Sequence, residues 1–495
     1  MIELVESSKQ YEIRKGIYVW LNCSLLFGMN VTSEHQEMSF EDKRKAIRDP
    51  IHGLVSRKPK EIAIMDTPAF QRLRRIRQLA MAHLLYPGAL HTRFEHSVGA
   101  MHVAGLICQR LREHPETKMN QEEEEMIRLA ALLHDIGQGP FSHVSEFLLK
   151  NFCNKEALGE TTDKNKIHEQ LTIDIITKDP EIAKILTRDE IEYIASIIKG
   201  SKKHNFRHDI ISSSLDADKM DYLLRDSYFC GVNYGHYDLQ KLVDSLRVYE
   251  EKQESYLAVD QECIYALEQL VFAKYHMTQQ VYAHRVRCIT DAMIVRGLTL
   301  AIEAGNAQLR KLYYYDGNTP FVENYTKYHD ENIVDIICDQ SDSAPAKEIF
   351  ERLRNRRLFK QVCNFPISAA GRHDKGKLMV LDFGNELQKT LEAAASKTLN
   401  SDPSKVIVYR RKVKNPAYIP EADQFNMEQI SVLGQDGKLK ELTDFPDLAF
   451  SFDKKKDAPE EIHVYAPMDN WNKLDDPGKK SLQESLKDTI LSSIP

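Results

Sequence analysis

The run His134-Asp135-Ile136-Gly137-Gln138-Gly139-Pro140-Phe141-Ser142-His143 decides how this chain is read. It closes a helical pattern, Glu124–Ile136, whose apolar residues recur at three- and four-residue spacing, and Gly137, Gly139 and Pro140 stop that helix. A histidine and an aspartate side by side at a helix end overhang it together, so both can reach one metal ion. Leu132 and Leu133 set the pair against a buried end, where unpartnered polar groups are costly. The turn then brings His143 back toward the same end. One His-Asp pair occurs by chance in many helices, but this one has company. His96 lies upstream in Thr92-Arg93-Phe94-Glu95-His96, and Asp218 lies downstream in Leu215-Asp216-Ala217-Asp218-Lys219. The set His96, His134, Asp135 and Asp218 would make a mixed imidazole–carboxylate site. Such a site suits Fe, Mn, Zn, Ni or Mg and leaves positions open for water and substrate. Any one of these residues alone is more simply a satisfied polar side chain; the crowding is what a divalent metal explains.

Outward from that run the pattern is helical from Glu61 to about Gly305. Asp189–Lys199, Ala217–Tyr228, Gln261–Tyr282 and Val286–Glu303 all carry the helical spacing, and Pro87-Gly88 marks a turn. Residues 306–345 are more polar and tyrosine-rich and read as a connector with a short helix around Glu331–Asp339. A strong helix, Ala346–Arg357, follows, and then the strand-like runs Lys377–Asp382, Lys405–Tyr409 and Glu461–Tyr465. The last stretch, rich in Lys, Asp and Ser, reads as a frayed helix. The expected fold is therefore mainly α: an extension over 1–45, a helical catalytic core over 46–305, a connector and helix over 306–360 completing the core and an oligomer interface, and a smaller α+β lobe over 361–495.

Composition bounds the rest. The 495 residues are 42% hydrophobic and 28% charged, enough for packed cores and too apolar for wholesale disorder. Lys plus Arg at 67 against Asp plus Glu at 74 gives a net charge of −7, with no global nucleic-acid footprint. Eight cysteines without a CxxC argue against a zinc ribbon or disulfide scaffold and for a reducing, cytoplasmic setting. The longest apolar stretch, Ile17–Met29, is too short to span a membrane and is interrupted by Asn22 and Ser24. Although Lys9, Arg14 and Lys15 precede it, no small-residue cleavage site follows, so it reads as an amphipathic leader or an extension before an internal start at Met29 or Met38.

Several segments together resemble the HD-domain superfamily: Asp49-Pro50-Ile51-His52-Gly53, Asp66 through Leu73, Tyr86-Pro87-Gly88-Ala89, Arg93-Phe94-Glu95-His96-Ser97 and His134 through His143. Within it they are most similar to the deoxynucleoside triphosphate triphosphohydrolase (dNTPase) branch, that of the human SAM-and-HD-domain dNTPase and its bacterial relatives. Asp216 through Tyr222 and Arg356-Arg357-Leu358-Phe359-Lys360 extend the match, which covers roughly residues 47 to 360. The resemblance implies metal ligands at His96, His134, Asp135 and Asp218, and acid–base chemistry from His143, Glu146, His168 and Glu169 beside the α-phosphate. It also implies phosphate contacts from Arg93, Lys219, Tyr222 and Lys274. Asp226 would hold a ribose hydroxyl, Gln78 and Leu79 would face the sugar and favour deoxyribose, and Tyr282, two before His284, would stack on the base. Asp66, Gln71 and Arg74 match residues that bind a guanine-nucleotide or dNTP effector at a subunit interface, which would make the protein a nucleotide-activated homo-oligomer, dimer or tetramer. The Ala346–Lys360 helix and its arginines would add to that effector site.

The implied activity is metal-dependent hydrolysis of dNTPs to deoxynucleoside and tripolyphosphate. The chemistry is coherent without the family: a metal lowers the pKa of bound water, a histidine exchanges a proton near neutral pH, and a carboxylate orients it. Two departures stand out. Gln138 and Thr278 occupy positions where the family carries histidine, so slowed or altered chemistry is expected. The rival readings are an HD phosphohydrolase or phosphodiesterase acting on another nucleotide, and a catalytically weak nucleotide sensor or nucleic-acid-binding protein. The basic clusters Arg352, Arg354, Arg356, Arg357 and Arg410, Arg411, Lys412, Lys414 are read as solvated faces or effector contacts before nucleic-acid contacts.

Overall fold

The Arg93–Arg112 helix is the axis of the structure. Thr92 opens it with a capping box closed by Glu95, and most of its residues are buried. Helices Gln121–Leu133 and Ala217–Cys230 pack along it. Close approach on the second side depends on Gly99, where a Cβ would stand 1.9 Å from Asp221 Oδ1 and 2.3 Å from Arg225 Nη2. Gln121–Leu133 starts at Asn120, whose side chain accepts from Glu123 N at 2.8 Å, and its acidic first turn complements the helix dipole. It ends where Gly137 passes under the Ile167–Lys178 helix: a Cβ there would meet His168 O at 2.3 Å and Thr172 N at 2.4 Å. His143–Phe152 then begins from Phe141 and Ser142, both at positive φ.

This computed structural model describes residues 46–114, 117–154, 157, 167–200, 203–411, 430–445 and 460–495. The leader reading at Ile17–Met29, with Lys9, Arg14 and Lys15, and the basic residues Lys412 and Lys414 lie outside them. Among the described residues 59% are helical, in nineteen α-helices and shorter helical turns, and the sheets are small, so the fold is mainly α. Among the described residues no helix is long and apolar enough to cross a membrane.

Ile47–Pro495 is one compact unit with two hydrophobic cores. The larger runs from Val55 through the helices Ala307–Tyr313, Thr319–Tyr325 and Asp330–Gln340 to Ala344–Arg354, so the expected short helix around Glu331–Asp339 is joined by two more helices packed on the core. Ile407, Tyr409, Val432 and Tyr465 also join it. The smaller core lies between the antiparallel strands Lys360–Pro366, Glu461–Ala466 and Ile407–Arg411, in that spatial order, and the helices Glu386–Leu399 and Asp476–Ser492. The last helix spans 17 residues and buries Leu486 and Ile490, where the sequence suggests fraying.

Three local readings are corrected. Lys377–Asp382 is not a strand: helix Arg372–Leu378 ends within it, burying Leu378 and Leu381 while Met379 and Val380 stay exposed, a spacing of three instead of two. Gln261–Tyr282 is not one helix but Ile264–Met277 followed by a π-helical turn, Thr278–Tyr282. The helical run to Gly305 also contains an antiparallel hairpin, Leu246–Glu251 with Glu254–Asp260, whose second strand pairs in parallel with Ser431–Leu433. Its Lys252-Gln253 turn takes positive φ at both positions without the Asn-Gly signature that would announce it.

Candidate active site

Three helices deliver the expected metal-binding set. His96 stands one turn into Arg93–Arg112, His134 and Asp135 overhang the end of Gln121–Leu133, and Asp218 lies in the first turn of Ala217–Cys230. One donor atom from each of His96, His134 and Asp218 falls within 4.8 Å of the others. Asp218 Oδ1 lies 2.9 Å from His96 Nε2 and 3.6 Å from His134 Nε2, and Asp135 Oδ2 lies 3.5 and 3.6 Å from the same nitrogens. His134 Nδ1 donates to Ala131 O at 2.7 Å, and His96 Nδ1 donates to Asp221 Oδ2 at 2.8 Å. Both bonds fix the tautomer, so each Nε2 turns a lone pair inward; both atoms are buried without a hydrogen-bond partner. Two inward imidazole nitrogens beside two carboxylates fit a divalent ion. Asp135 Oδ2 is also held by Arg93 Nη1. Burial pushes that carboxyl up, but Arg93 and then the two imidazoles outweigh it and keep it well below the usual range.

Asp221 lies within the Asp216–Tyr222 segment, where the resemblance implies no role for it, and the structure makes it a hub. It takes His96 on one side and His52 Nε2 at 2.7 Å and Arg225 at 2.8 Å through both oxygens on the other, and Arg225 reaches on to Asp49 Oδ2 at 2.8 Å. Burial raises its pKa, yet Arg225, His52 and His96 together hold it well below the carboxylate range. The signal for this network was the Asp49-Pro50-Ile51-His52-Gly53 segment, which the sequence presents far from Asp221.

The residues expected to carry acid–base chemistry gather on Glu146. Its Oε1 lies 2.9 Å from His143 Nδ1, 3.1 Å from His168 Nδ1 and 3.3 Å from Gln138 Nε2. Burial lowers the His168 pKa, but Glu146 outweighs it and raises the imidazole to about 9. Burial likewise raises Glu146, and His168 with His143 overcomes it to leave the carboxyl far below its ordinary value. His143 Nε2 lies 3.3 Å from Arg93 Nη2, which joins this set to the metal set. Glu169 is half-buried on the same helix as His168 and within electrostatic reach of it.

Residues outside the motif hold the turn in place. Buried Arg72 donates through Nη2 to Ile136 O at 2.7 Å and Gln138 O at 3.0 Å. Asp330 accepts from Phe141 N at 2.7 Å, Tyr325 donates its hydroxyl to Gly137 O at 3.0 Å, and Thr172 Oγ1 donates to His134 O at 2.8 Å. Ser142 Oγ takes Arg93 Nε at 2.9 Å and donates to Arg77 O at 2.7 Å. The positive φ at Phe141 and Ser142 is over-determined by these bonds.

A second buried cluster extends along Ala217–Cys230. Tyr222 bonds Lys274 through its hydroxyl, and the Lys274 ammonium sits over the Tyr222 and Tyr282 rings at 4.7 and 5.7 Å. Asp226 accepts from Tyr282 OH at 2.7 Å and from His91 Nε2 at 2.7 Å, and His91 stacks on Phe229. His91 escaped the sequence reading. Gln78 N donates to His91 O at 3.1 Å, and Leu79 beside it is buried. Lys219 is turned to the N-cap Asp216, 3.0 Å from Oδ2. Thr278 spends its hydroxyl on Lys274 O at 2.7 Å.

The expected effector residues meet at one corner. Asp66 caps the Pro59–Met65 helix and is exposed, Gln71 Nε2 donates to Met65 O at 2.7 Å, and Arg74 donates to Gln71 Oε1 at 2.8 Å while lying over the Phe94 ring. The basic clusters are partly consumed by the fold: Arg352 forks onto Asp469 at 2.9 and 2.8 Å, Arg356 donates to Leu84 O at 2.7 Å, and Arg411 donates to Ala283 O at 3.1 Å.

Comparison with known proteins agrees with this geometry. The family described as HD domain matches residues 93–226, and the family described as HD associated region matches residues 237–488, about half of the chain. The chain is 35% identical over 272 residues to an uncharacterized protein of Methanocaldococcus jannaschii, covering 55% of this chain and 53% of that one. It is 30% identical over 335 residues to the uncharacterized protein YwfO of Bacillus subtilis, covering 65% and 72%. It is 32% identical over 376 residues to the deoxynucleoside triphosphate triphosphohydrolase SAMHD1 homolog of Dictyostelium discoideum, covering 72% and 68%. The match thus spans about half to three-quarters of each relative's length.

Proposed function

Since this chain belongs to the HD-domain superfamily, in its dNTPase-like branch, we propose that it is a metal-dependent phosphohydrolase that cleaves dNTPs to deoxynucleoside and tripolyphosphate. One observation carries this reading. Asp218, Tyr222 and Asp226 lie four residues apart on one helix, so they step from the metal-binding set to the buried Tyr282–His91 cluster over about 12 Å. That is the reach of a nucleotide laid with a phosphate at the metal and its sugar at Asp226.

His96, His134, Asp135 and Asp218 would hold a divalent ion, which when bound polarises a phosphoryl oxygen and lowers the pKa of its water. Arg93 bears on both sides of that reaction centre, one nitrogen on Asp135 and one 3.3 Å from His143 Nε2, and its fork suits a phosphate oxygen. Glu146 holds the His143 Nδ1 proton, so that a second proton taken up from solvent at Nε2 would pass to the departing 5′-oxygen as a water oxygen, its own proton released to solvent, replaces it on the α-phosphorus. His168 shares the same carboxylate and keeps its charge beside the anionic substrate. Gln138 donates to Glu146 but cannot exchange a proton. Lys274 and Tyr222 bind the outer phosphates, Lys219 supports them from Asp216, Asp226 holds a ribose hydroxyl, and Gln78 and Leu79 bind the sugar 3′-hydroxyl and crowd its 2′ face. Glu169 backs His168. Asp66, Gln71 and Arg74 bind a guanine-nucleotide or dNTP effector between copies of a homo-oligomer.

A second reading has one observation of its own. Gln138 is fully buried and Thr278 is spent on backbone, so neither position carries a titratable group, and this favours a slow enzyme or a nucleotide sensor. A product assay separates them. Purified protein is offered the four dNTPs and four NTPs, singly and pooled, with Mg²⁺ or Mn²⁺, and products are resolved by ion exchange. Deoxynucleoside plus tripolyphosphate is expected, with turnover confined to the pool if the effector corner is used. Mono- or diphosphate products would overturn the triphosphohydrolase assignment, and binding without turnover would leave the sensor.

A further inference from the structure

Two polar atoms near the Asp226 cluster have no hydrogen-bond partner among the described residues: Arg287 Nη1 and Asp291 Oδ1, both buried. They belong to one i,i+4 pair at the start of the Arg285–Glu303 helix, joined through Arg287 Nε and Asp291 Oδ2 at 3.4 Å. The two side chains keep 11% and 14% of their surface, so the pair is not sealed in the core. Arg287 lies within electrostatic reach of Asp226 and the Tyr282 hydroxyl, and Asp291 within reach of His143. The pair therefore adjoins both halves of the candidate active site, and no step assigned above uses it.

Two of its neighbours are already engaged. Asp226 Oδ1 faces His91 and Oδ2 faces Tyr282. Tyr86, also within reach of Arg287, gives its hydroxyl to Gln280 O at 2.8 Å. What remains is one donor and one acceptor side by side, set by the turn of a helix. A triphosphate offers acceptors only and would be repelled by Asp291. The sugar hydroxyl already has Asp226. A nucleobase edge with a carbonyl next to a ring N–H offers the complementary pair, as guanine and thymine do.

Resting on the dNTP reading above, we infer that Arg287 and Asp291 are the base-reading pair of this site: Arg287 Nη1 donates to the base carbonyl and Asp291 Oδ1 accepts from the neighbouring ring N–H. Contact requires the guanidinium to turn toward the opening the pair retains, a side-chain motion and not a rearrangement of the helix. The pair then selects keto bases, dGTP and dTTP, over dATP and dCTP. Both residues are specificity-determining and neither touches the reacting phosphorus.

The test compares wild type with Arg287→Gln and Asp291→Asn, substitutions of similar shape, with thermal melts to confirm that both fold. For each dNTP, kcat and KM are measured, and equilibrium dialysis gives the Kd at a metal concentration too low for turnover. Wild type should favour keto bases by about tenfold in kcat/KM, and either substitution should erase most of that ratio through KM. Arg287→Lys should restore part of it. A strut that merely braced the helix would depress all four substrates by one factor and leave the ratio unchanged, which would overturn the inference. So would a wild type without keto preference, and in both cases the dNTPase reading stands. Absent turnover with keto-selective binding that the substitutions abolish would support the pair and sink the dNTPase reading. Absent turnover and absent binding would sink both.

Discussion

Asp221 Oδ2 sits 2.8 Å from His96 Nδ1, and this bond aims the other imidazole nitrogen at the metal-binding set. The carboxylate is itself clamped by Arg225 and His52, so the orientation of His96 is inherited from a network that reaches back to Asp49. Asp221→Asn keeps the shape but weakens the acceptor, and metal affinity should fall about 10- to 100-fold, read as metal content after dialysis. Asp221→Ala should also destabilise the fold by about 3 kcal/mol, because buried Arg225 then keeps Asp49 alone as its carboxylate partner. Full metal retention in both variants would remove Asp221 from the site.

Removing a ligand is a sharper test than removing its support. His134→Ala leaves the Ala131 carbonyl without its donor and takes one of the two inward nitrogens. Turnover should be lost and bound metal reduced, while His143→Ala should abolish turnover and leave the metal in place. Activity surviving in either variant would break the assignment of that residue.

The His168–Glu146 pair makes stability depend on pH in a defined direction. The folded imidazole titrates at about 9 against an ordinary 6.5. A raised histidine contributes its full stability below the unfolded value and loses it as pH climbs through the folded one. The melting-temperature gap between wild type and His168→Gln should therefore be widest near pH 6 and narrow steadily between 6.5 and 9. The carboxylate contributes in the opposite sense, since its folded pKa is depressed, and its share is lost below the ordinary value of 4.5. A gap that stays constant from pH 6 to 9 would mean that Glu146 does not hold the His168 charge.

Gly137 tests packing. A methyl group there would lie 2.3 Å from His168 O and 2.4 Å from Thr172 N, both backbone atoms that cannot swing aside. Gly137→Ala should cost about 1–3 kcal/mol by overpacking and push the turn that carries Asp135 off its place, so activity should fall more than the melting temperature suggests. An unchanged melt would show that the Ile167–Lys178 helix has room to retreat.

What the sequence made legible follows from distance along the chain. His134, Asp135 and His143 share one short turn, and the order of the chain set His96 and Asp218 beside them as expected ligands; the structure brings His96, His134 and Asp218 within 4.8 Å of one another. Asp221 was in plain view but silent, because its partner His96 is 125 residues away. Arg72 and Asp330 hold the same turn across 66 and 189 residues, and nothing local distinguishes them from surface charges. The fold class was legible for a related reason: helical spacing is a local signal, and most elements are helices. The misreadings fall where two periods compete. Lys-Leu-Met-Val-Leu-Asp alternates poorly, and the buried pair Leu378 and Leu381 betrays a helix end only once the fold says which side is inside. The hairpin at Leu246–Asp260 was missed because its turn lacks glycine or asparagine and its register is secured by Ser431–Leu433, more than 170 residues on.

Gln138 is the position where this chain's own chemistry is most exposed to test. Its Nε2 lies 3.3 Å from Glu146 Oε1, the oxygen that also takes His143 and His168, while its own Oε1 is buried without a partner. A histidine there could use the same carboxylate and would add an exchangeable proton next to the reacting phosphate. Gln138→His should raise kcat by about tenfold or more if a third proton-transfer group is what the site lacks. It should also move the alkaline limb of the pH profile down, because a third imidazole near His168 disfavours its charged form. Arg72 fixes only the backbone carbonyl of residue 138, so the change need not disturb the turn. Unchanged kcat with a shifted limb would place the missing step elsewhere, at Thr278 beside Lys274, where Thr278→His is then the variant to make.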